Sequence, residues 1–252
     1  MTSRWSKKSG LKLEKFSVDD TFFHRLTISQ PQKGYRFSID PLILAAHIHP
    51  KGDETVMDLG CGCGIISLIL ANQYPGLKIT GIEIQKELYT FARQNVVANG
   101  FEKNIHLLHE DIKKIKFSEA DPKADIIVSN PPYKKFGTGR LNPSLQKAMA
   151  RHETAIDIDM LVECSSKFIK DLGFLFIIFP FDRLSDLTQA LARYRFYPDF
   201  IRYIHIKAGT KPRRVIVRAV KNGGSQCSLS PPLFIYTAGN KYAEEYLSLF
   251  KT

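Results

Sequence analysis

The 252-residue sequence is poor in cysteine and contains no long apolar run. Its cysteines are Cys61, Cys63, Cys164 and Cys227. No two of them form a Cys-x-x-Cys pair, which argues against a structural zinc site, so we expect free thiols and no metal. The longest apolar run, Phe174 to Phe179, has the length of a buried strand. A membrane helix requires roughly 18 apolar residues, and we therefore expect no membrane span.

The N-terminal residues also lack the features of a secretory signal. The first twenty residues carry eight charged side chains and no apolar stretch, whereas a signal peptide contains an apolar stretch of about 7–15 residues. Free thiols are typical of a reducing compartment. We therefore expect a cytoplasmic protein, and the sequence predicts no particular oligomeric state.

Acidic residues are scarce in one long stretch near the C-terminus. The net charge is +11, and residues 193–221 contain nine Lys or Arg against one acid, Asp199. A polyanion suits this density because neutralising phosphates releases counterions, and interspersed aromatic residues favour RNA. The candidate RNA contacts here are Arg213, Arg214 and Arg218. The alternative interpretation is a solvated surface that keeps the protein soluble.

From about residue 54 onward, short apolar runs alternate with amphipathic segments. This pattern predicts an α/β fold with a doubly wound, Rossmann-like, mostly parallel sheet. The predicted strands are 55–59, 78–83, 105–108, 124–129, 174–179, 203–206 and 215–220. The predicted helices are 65–73, 86–99, 157–170 and 183–194, with Gly100 and Gly173 as helix stops. A short connection joins the sixth and seventh strands, so we expect the last strand to be antiparallel.

The first 50 residues do not follow this alternation. Residues 27–30 and 35–38 predict a short hairpin, and a helix is predicted from Asp40 to Ile48. The sequence shows no repeat, no low-complexity tract and no linker long enough to separate two domains. We expect one domain over residues 1–252, with an N-terminal appendage (1–50), a core (51–221) and a C-terminal tail (222–252) that packs on the core.

A glycine-rich loop follows the first predicted strand, at the position where open α/β sheets bind nucleotides. The three glycines Gly60, Gly62 and Gly64 permit a tight turn and close approach to a ligand. A dinucleotide site would have the spacing Gly-x-Gly-x-x-Gly, but the third glycine here comes one residue early. Asp58 also disfavours pyrophosphate and suits a ligand with an ammonium group, such as S-adenosylmethionine. The two cysteines of the loop are interpreted as small turn fillers.

Residues after the next two strands complete this candidate cofactor site. Glu83 ends the second strand, 23 residues after Gly60, and can accept hydrogen bonds from both ribose hydroxyls. Asp111 follows the third strand and can accept a bond from the adenine amino group, with Ile84 and Ile112 on the two faces of the ring. The alternative for Asp111 is a helix N-cap.

The pentapeptide Ser129-Asn130-Pro131-Pro132-Tyr133 follows the fourth strand. An exocyclic amine is a weak nucleophile because its lone pair is spread into the aromatic ring. The side-chain oxygen of Asn130 and the carbonyl of Pro131 can each accept one amine hydrogen, and the prolines fix this backbone. Tyr133 offers a flat face for an extruded base or another planar amide. The alternative is an ordinary turn, which is less favoured because the motif closes the fourth strand after a glycine loop.

Together, the glycine loop and the Asn-Pro-Pro-Tyr motif resemble those of the class I S-adenosylmethionine-dependent methyltransferases that modify exocyclic or amide nitrogens. Residues 28–40 and 149–153 are similar to those of bacterial enzymes that methylate the exocyclic nitrogen of adenine 37 in valine tRNA. The resemblance covers nearly the whole chain. It implies S-adenosylmethionine as cofactor, S-adenosylhomocysteine as product and a tRNA as substrate.

The resemblance also implies roles for individual residues. Asp58, Gly60, Glu83 and Asp111 would contact the cofactor, and Asn130 and Tyr133 would hold the target base. The segment that closes over the methionine end of the cofactor would include Arg36, Phe37 and Asp40.

Two further segments near the motif carry candidate residues. Lys134, Lys135 and Arg140 lie in a basic, glycine-containing loop, which suits a lid that contacts RNA phosphates or, alternatively, a plain surface loop. Residues 151–153 (Arg-His-Glu) belong to the resembling segment, and their alternative is a salt-bridge cluster at a helix start.

Several other functions share parts of this pattern. A glutamine N5-methyltransferase acting on a protein such as a release factor would use the same four-residue motif, but residues 1–50 are too short for its helical N-terminal domain. A guanine-N2 methyltransferase of ribosomal RNA stays possible, and a DNA adenine methyltransferase would need a separate target-recognition block. From other classes, the alternatives are an NAD-binding oxidoreductase, which the glycine spacing opposes, and a non-catalytic RNA-binding module.

Overall fold

The secondary-structure elements follow the predicted alternation of strands and helices. The computed structural model describes residues 13–17, 26–31, 38–116, 122–132, 157–224 and 226–250. Its strands are β1 (Leu13–Ser17), β2 (Thr27–Pro31), β3 (Thr55–Leu59), β4 (Lys78–Glu83), β5 (Ile105–His109), β6 (Ala124–Ser129), β7 (Ile169–Pro180), β8 (Phe196–His205), β9 (Pro212–Lys221), β10 (Ser228–Leu229) and β11 (Leu233–Phe234). Its helices are α1 (Asp40–Ala45), α2 (Ile65–Gln73), α3 (Lys86–Asn99), α4 (Ile158–Phe168), α5 (Leu184–Arg193) and α6 (Glu244–Ser248).

Nine strands form one sheet in the order β10-β8-β9-β7-β6-β3-β4-β5, with β11 also paired to β8. Neighbouring strands are parallel except at β9, which is antiparallel to both β7 and β8. The predicted fold, a mostly parallel sheet whose seventh strand is antiparallel, is therefore confirmed. The strands β10 and β11 add to the predicted seven, and at two residues each they are too short to give a sequence pattern.

The strand order around β3 determines where a site can form. β3 pairs in parallel with β4 on one side and with β6 on the other, although β6 follows β4 and β5 in the chain. Successive strands are thus added on one side of β3, as β4 and β5, and then on its other side, as β6 and β7. At such a switch point, the carboxyl ends of parallel strands border a crevice. Residues 60–63, after β3, and Asn130, after β6, meet at this crevice.

Helices cover both faces of the sheet. α1, α2 and α3 contribute to an apolar cluster on one face, which includes Leu44, Leu68 and Val96. α4 and α5 contribute to a second cluster on the other face, which includes Leu161 and Leu187. Strands that are covered on both faces are apolar along their length, as the central run in β7 is. In the described residues no helix is both long and apolar enough to cross a membrane.

Two predicted boundaries in the C-terminal half of the chain, at the start of β7 and at the start of β8, are wrong. α4 ends at Phe168 and β7 begins at the next residue, so Gly173 is a strand position rather than a helix stop. A Cβ on Gly173 would lie 2.9 Å from the carbonyl oxygen of Asp125, which shows that the glycine permits a close approach of β7 to β6. β8 begins at Phe196 instead of residue 203, because its pairing with β9 continues past an irregularity next to Pro198.

The N-terminal appendage contains a hairpin that differs from the predicted one. β2 pairs antiparallel with β1, Ser17 lying opposite Thr27. The predicted second strand, residues 35–38, lies mainly outside the described residues. α1 begins at Asp40 as predicted and ends at Ala45. It ends before the predicted Ile48 because the amides of His47 and Ile48 bond three residues back instead of four.

The C-terminal tail packs on the sheet through strands, a helix and one buried arginine. β10 and β11 pair with β8, and Tyr246 of α6 is 2% exposed in the apolar cluster beneath α1. Arg202 on β8 is 8% exposed and forms an ion pair with Glu245. It also donates to the Pro231 carbonyl at 3.1 Å and lies 3.1 Å from Nε2 of His47. Burial lowers the pKa of His47 to about 4, so this neutral ring can accept from the arginine.

Candidate active site

The glycine loop between β3 and α2 has an open backbone surface. Gly60, Gly62 and Gly64 have φ angles of +74°, +59° and +84°, which side chains with a Cβ rarely adopt. The amides of Gly60 and Cys61 donate to the Ile82 carbonyl at 2.9 and 3.0 Å, which fixes the loop to the end of β4. A Cβ on Gly60 would meet nothing within 4 Å. The loop therefore presents bare backbone to the crevice.

The two cysteines of this loop pack beneath it. Cys61 and Cys63 are free and buried. Burial raises the pKa of the Cys63 thiol to about 12 and that of Cys61 well above its usual value, so both stay protonated. Cys61 fits closely over Gly81 of β4, where an added Cβ would lie 3.1 Å from the sulfur. These positions agree with the interpretation of both cysteines as turn fillers.

Asp58, on β3, is a buried carboxyl group with one unpartnered oxygen. Its side chain is 1% exposed, and Oδ2 accepts a hydrogen bond from the Ser67 hydroxyl at 2.7 Å. Oδ1 has no hydrogen-bond partner among the described residues. Burial, opposed by the Ser67 bonds and assisted by repulsion from Glu83, raises the pKa of Asp58 to about 7. An orphaned acceptor of this kind suits a ligand with a cationic donor.

Glu83 connects the ends of β3 and β4 to the glycine loop. Its Oε2 accepts a bond from the Gly62 amide at 2.9 Å, and its Oε1 accepts one from the Gln85 amide at 2.7 Å. The residue is 4% exposed, and burial raises its pKa. Each oxygen keeps a second lone pair, so Glu83 can hold the loop and still accept bonds from a pair of hydroxyls.

The residues after β5 lie at the same edge of the sheet. Asp111 is 8% exposed, and its Oδ1 accepts a bond from the Lys113 amide at 3.0 Å. Asp111 therefore caps a turn, whereas the alternative interpretation was that it caps a helix. Its Oδ2 lies 3.6 Å from the Lys113 ammonium nitrogen. Ile112 is 4% exposed in the apolar core, whereas Ile84 is half-buried.

The Asn-Pro-Pro segment after β6 faces the glycine loop. A concavity at the crevice is lined by Asn130 together with Pro41, Gly60, Cys61, Gly62, Cys63, Ile65 and Ile66. The structure thus brings Asn130 and the loop together in one concavity, and their role as one site stays a prediction. Pro131 is buried and Pro132 exposed. Tyr133 lies outside the described residues.

Ser129 connects the ends of β6 and β3 by a buried hydrogen bond that the sequence did not predict. Its hydroxyl, fully buried, donates to the Leu59 carbonyl at 2.8 Å. This bond joins the last residue of β6 to the last residue of β3, directly before Asn130 and Gly60. The sequence indicated Ser129 only by its position, as the first residue of the pentapeptide that contains Asn130.

The three candidate RNA contacts on β9 have different environments. Arg213 is exposed. Arg214 donates to Asp40 at 2.9 Å, so a candidate RNA contact and a candidate cofactor contact form an ion pair. Arg218 donates to both oxygens of Asp199, at 2.9 and 3.1 Å. At least four of the nine basic residues in this stretch pair with acids. The count of one acid within residues 193–221 did not indicate these pairs, because the partners of Arg193, Arg202 and Arg214 are remote in sequence.

The remaining candidate residues fall outside the described part of the chain. They are Arg36, Phe37, Lys134, Lys135, Arg140 and residues 151–153. Among the residues that the structure does describe, no group of three or more His, Cys, Asp or Glu side chains is close enough to hold a metal ion.

Comparison with known proteins places this site in a family. Residues 38–178 match the methyltransferase small domain family. A protein of Porphyromonas gingivalis named tRNA1(Val) (adenine(37)-N6)-methyltransferase is 30% identical over 235 residues, which cover 90% of this chain and 91% of that protein. A protein of the same name from Phocaeicola vulgatus is 29% identical over 91% of this chain and 94% of its own length.

Solved structures share the fold at lower identity. A predicted O-methyltransferase from Agrobacterium tumefaciens has a TM-score of 0.66 at 20% identity, covering 83% of this chain and 94% of that one. A putative class I S-adenosylmethionine-dependent methyltransferase from Listeria monocytogenes has a TM-score of 0.53 at 16% identity, covering 77% of this chain and 63% of that one. The chain belongs to the methyltransferase small domain family and has the fold of the class I methyltransferases.

Proposed function

We propose that this protein transfers a methyl group from S-adenosylmethionine to the N6 amino group of adenine 37 in tRNA1(Val). The observation that carries the proposal is that Asn130 and the glycine loop line one concavity at the switch point of the sheet. Relatives that match about nine-tenths of the chain bear the name of this activity. A tRNA substrate supports a cytoplasmic location for the enzyme.

The residues of the crevice fit S-adenosylmethionine. When bound, this cofactor supplies a methyl group on a cationic sulfur. The unpartnered oxygen of Asp58 suits the amino group of the methionine part, and Glu83 retains lone pairs for the ribose hydroxyls. The open backbone at Gly60 admits the ligand close to the loop. Asp111, Ile84 and Ile112 lie at the same edge of the sheet, where the adenine ring would be held.

Asn130 prepares the target amine for the transfer. Its side-chain oxygen accepts one hydrogen of the N6 amino group, and the Pro131 carbonyl accepts the other, so the lone pair is drawn out of the ring and directed at the methyl group. The two prolines restrict the backbone that carries these acceptors. Tyr133 provides the stacking face for the extruded adenine.

Features of the site separate this proposal from the alternatives. The buried Asp58 carboxyl group opposes a pyrophosphate in the loop, which disfavours an NAD-dependent oxidoreductase. A non-catalytic RNA-binding module would have no use for Asn130 beside a cofactor loop. A glutamine amide would fit the same acceptors, as would the amino group of guanine, so the relatives' shared name favours adenine in tRNA over these two.

Replacement of Asn130 tests the proposed role directly. We expect Asn130→Ala to lower kcat by about 100-fold or more, because one preorganised acceptor is lost from the transition state. The affinity for S-adenosylhomocysteine, measured by isothermal titration calorimetry, should stay within about twofold. Asn130→Asp is the matched control, since it keeps an acceptor oxygen and should retain more activity. Unchanged methyl transfer by Asn130→Ala would refute the assigned role.

A further inference from the structure

Two asparagines of α3 hold the N-terminal hairpin by its main chain. Oδ1 of Asn95 accepts from the Ser29 amide at 2.7 Å, and its Nδ2 donates to the Ser29 carbonyl at 2.9 Å. Asn99, one helical turn later, makes the same pair of bonds with Thr27, at 2.9 and 2.8 Å. Thr27 and Ser29 are alternate residues of β2. The two amides thus bind this strand edge as a neighbouring strand would.

Asn95 differs from Asn99 in the destination of its third hydrogen bond. The second hydrogen of Asn95 Nδ2 is donated to the Cys63 carbonyl, in the glycine loop, at 2.9 Å. The corresponding hydrogen of Asn99 is donated to the Asn95 carbonyl of its own helix, at 2.7 Å. Asn95 is 0% exposed, so its three bonds cannot be replaced by water. One buried amide therefore joins β2, α3 and the loop.

The loop depends on such outside contacts because its glycines leave its backbone free to rotate. Gly64 packs against α3, with an added Cβ only 3.5 Å from the Cβ of Ala92. The Asn95 bond to Cys63 is the polar counterpart of this contact. On the other side, the chain from β2 continues to α1, whose Pro41 lines the concavity. Among the residues that line the concavity, Cys63 is the one that Asn95 contacts directly.

We propose that Asn95 is a positioning residue that couples cofactor binding in the glycine loop to the docking of strand β2. This inference rests on the proposed function, because it takes S-adenosylmethionine as the ligand of the loop. The Asn95 amide holds both the Cys63 carbonyl of the loop and the main chain of Ser29, so a ligand that favours this loop conformation also favours the docked strand. Asn99 stabilises the hairpin without this connection.

A pair of matched variants separates coupling from mere stability. Asn95→Ala and Asn99→Ala each remove the reciprocal bonds to β2, so both should lower the melting temperature. Only Asn95→Ala should weaken S-adenosylhomocysteine binding, by about tenfold or more in calorimetry, and raise the KM for S-adenosylmethionine with little change in the KM for tRNA. Equal losses of affinity in the two variants, or no loss in either, would overturn the proposal.

Amide hydrogen exchange in the wild-type protein provides a test that does not depend on a variant that folds. Addition of S-adenosylhomocysteine should slow exchange at the Ser29 amide at least threefold, as followed by NMR. The slowing should persist in Asn99→Ala and disappear in Asn95→Ala. An unchanged Ser29 rate in a wild-type protein that binds the ligand overturns this inference alone. Failure of the wild-type protein to bind the ligand overturns the proposed function and this inference together.

Discussion

At the scale of single residues, Asp58 makes cofactor binding depend on pH. Burial raises its pKa to about 7, so it is largely protonated below neutrality, whereas an ammonium group is bound best by the carboxylate. Binding therefore releases a proton, and the affinity for S-adenosylmethionine should rise from pH 6 to pH 8, by up to about tenfold per pH unit below the pKa. Asp58→Asn should bind more weakly at pH 8 and lose this dependence, as calorimetry can show. A parallel pH dependence in both proteins would contradict the role of Asp58.

The same carboxyl group shapes stability without ligand. Because its folded pKa lies above the unfolded value of 3.8, the folded state binds the extra proton between about pH 4 and pH 7. Stability from this group is therefore present at low pH and falls as pH rises through that window, by on the order of 4 kcal/mol in total. Urea unfolding of Asp58→Asn at several pH values should lack this contribution.

Candidate residues at the ends of strands are easier to propose from the sequence than the residues that they contact. Asp58, Glu83 and Asn130 could be proposed from the sequence because each lies at or directly after the end of a parallel strand, and parallel strands end at one edge. The ion pair of Arg214 with Asp40 joins residues 174 positions apart, and no local pattern indicates such a pair. Asn95 was also missed. The available signal was that asparagine is unfavourable inside a helix, so one within α3 needs a reason.

At the scale of elements, β9 carries arginines in different environments, Arg213 being exposed and Arg218 paired. Arg218 pairs with Asp199 and lies 5.2–5.9 Å from the ring centroids of three phenylalanines on β7 and β8. Arg218→Gln should destabilise the fold by about 1–2 kcal/mol with little effect on the salt dependence of tRNA binding. Arg213→Gln should leave stability unchanged and reduce the salt slope of tRNA affinity by about 1. Thermal unfolding and salt titrations distinguish the two, and an unchanged slope for Arg213→Gln would mean that it does not contact RNA.

Element boundaries were predictable where turn residues bound an apolar run. β3, β6, α2 and α3 have the predicted limits because glycine, asparagine or proline follows each of them closely. β7 begins five residues before its apolar run, and its first residues join the sheet through an irregular pairing with β6. The pairing with β6 sets the start of β7, and the periodicity of the sequence does not indicate such a pairing. β1 and β2 likewise pair across a connection that the local turn pattern did not indicate.

At the scale of the whole molecule, we propose that appendage, core and tail form one cooperative unit. The tail depends on the buried Arg202, whose carboxylate partner is Glu245. Glu245→Ala should destabilise the protein by about 1–3 kcal/mol, because it removes a charged partner from a buried guanidinium group. The exposed neighbour Glu244 is the control, and Glu244→Ala should change stability by less than about 0.5 kcal/mol. Calorimetry should show one transition in each protein, and a separate transition for the tail would contradict a single domain.

In the proposed function, the glycine loop holds S-adenosylmethionine and Asn130 holds the amino group of the one adenine that is methylated. The most direct measurement is transfer of a labelled methyl group from S-adenosylmethionine to tRNA1(Val) transcripts, followed by nucleoside analysis. We predict N6-methyladenosine at position 37, about one methyl group per tRNA, with no label in a transcript that has guanine at this position and a rate lower by about 100-fold or more with Asn130→Ala. Label in another nucleoside or at another position, or a wild-type rate in Asn130→Ala, would contradict the account.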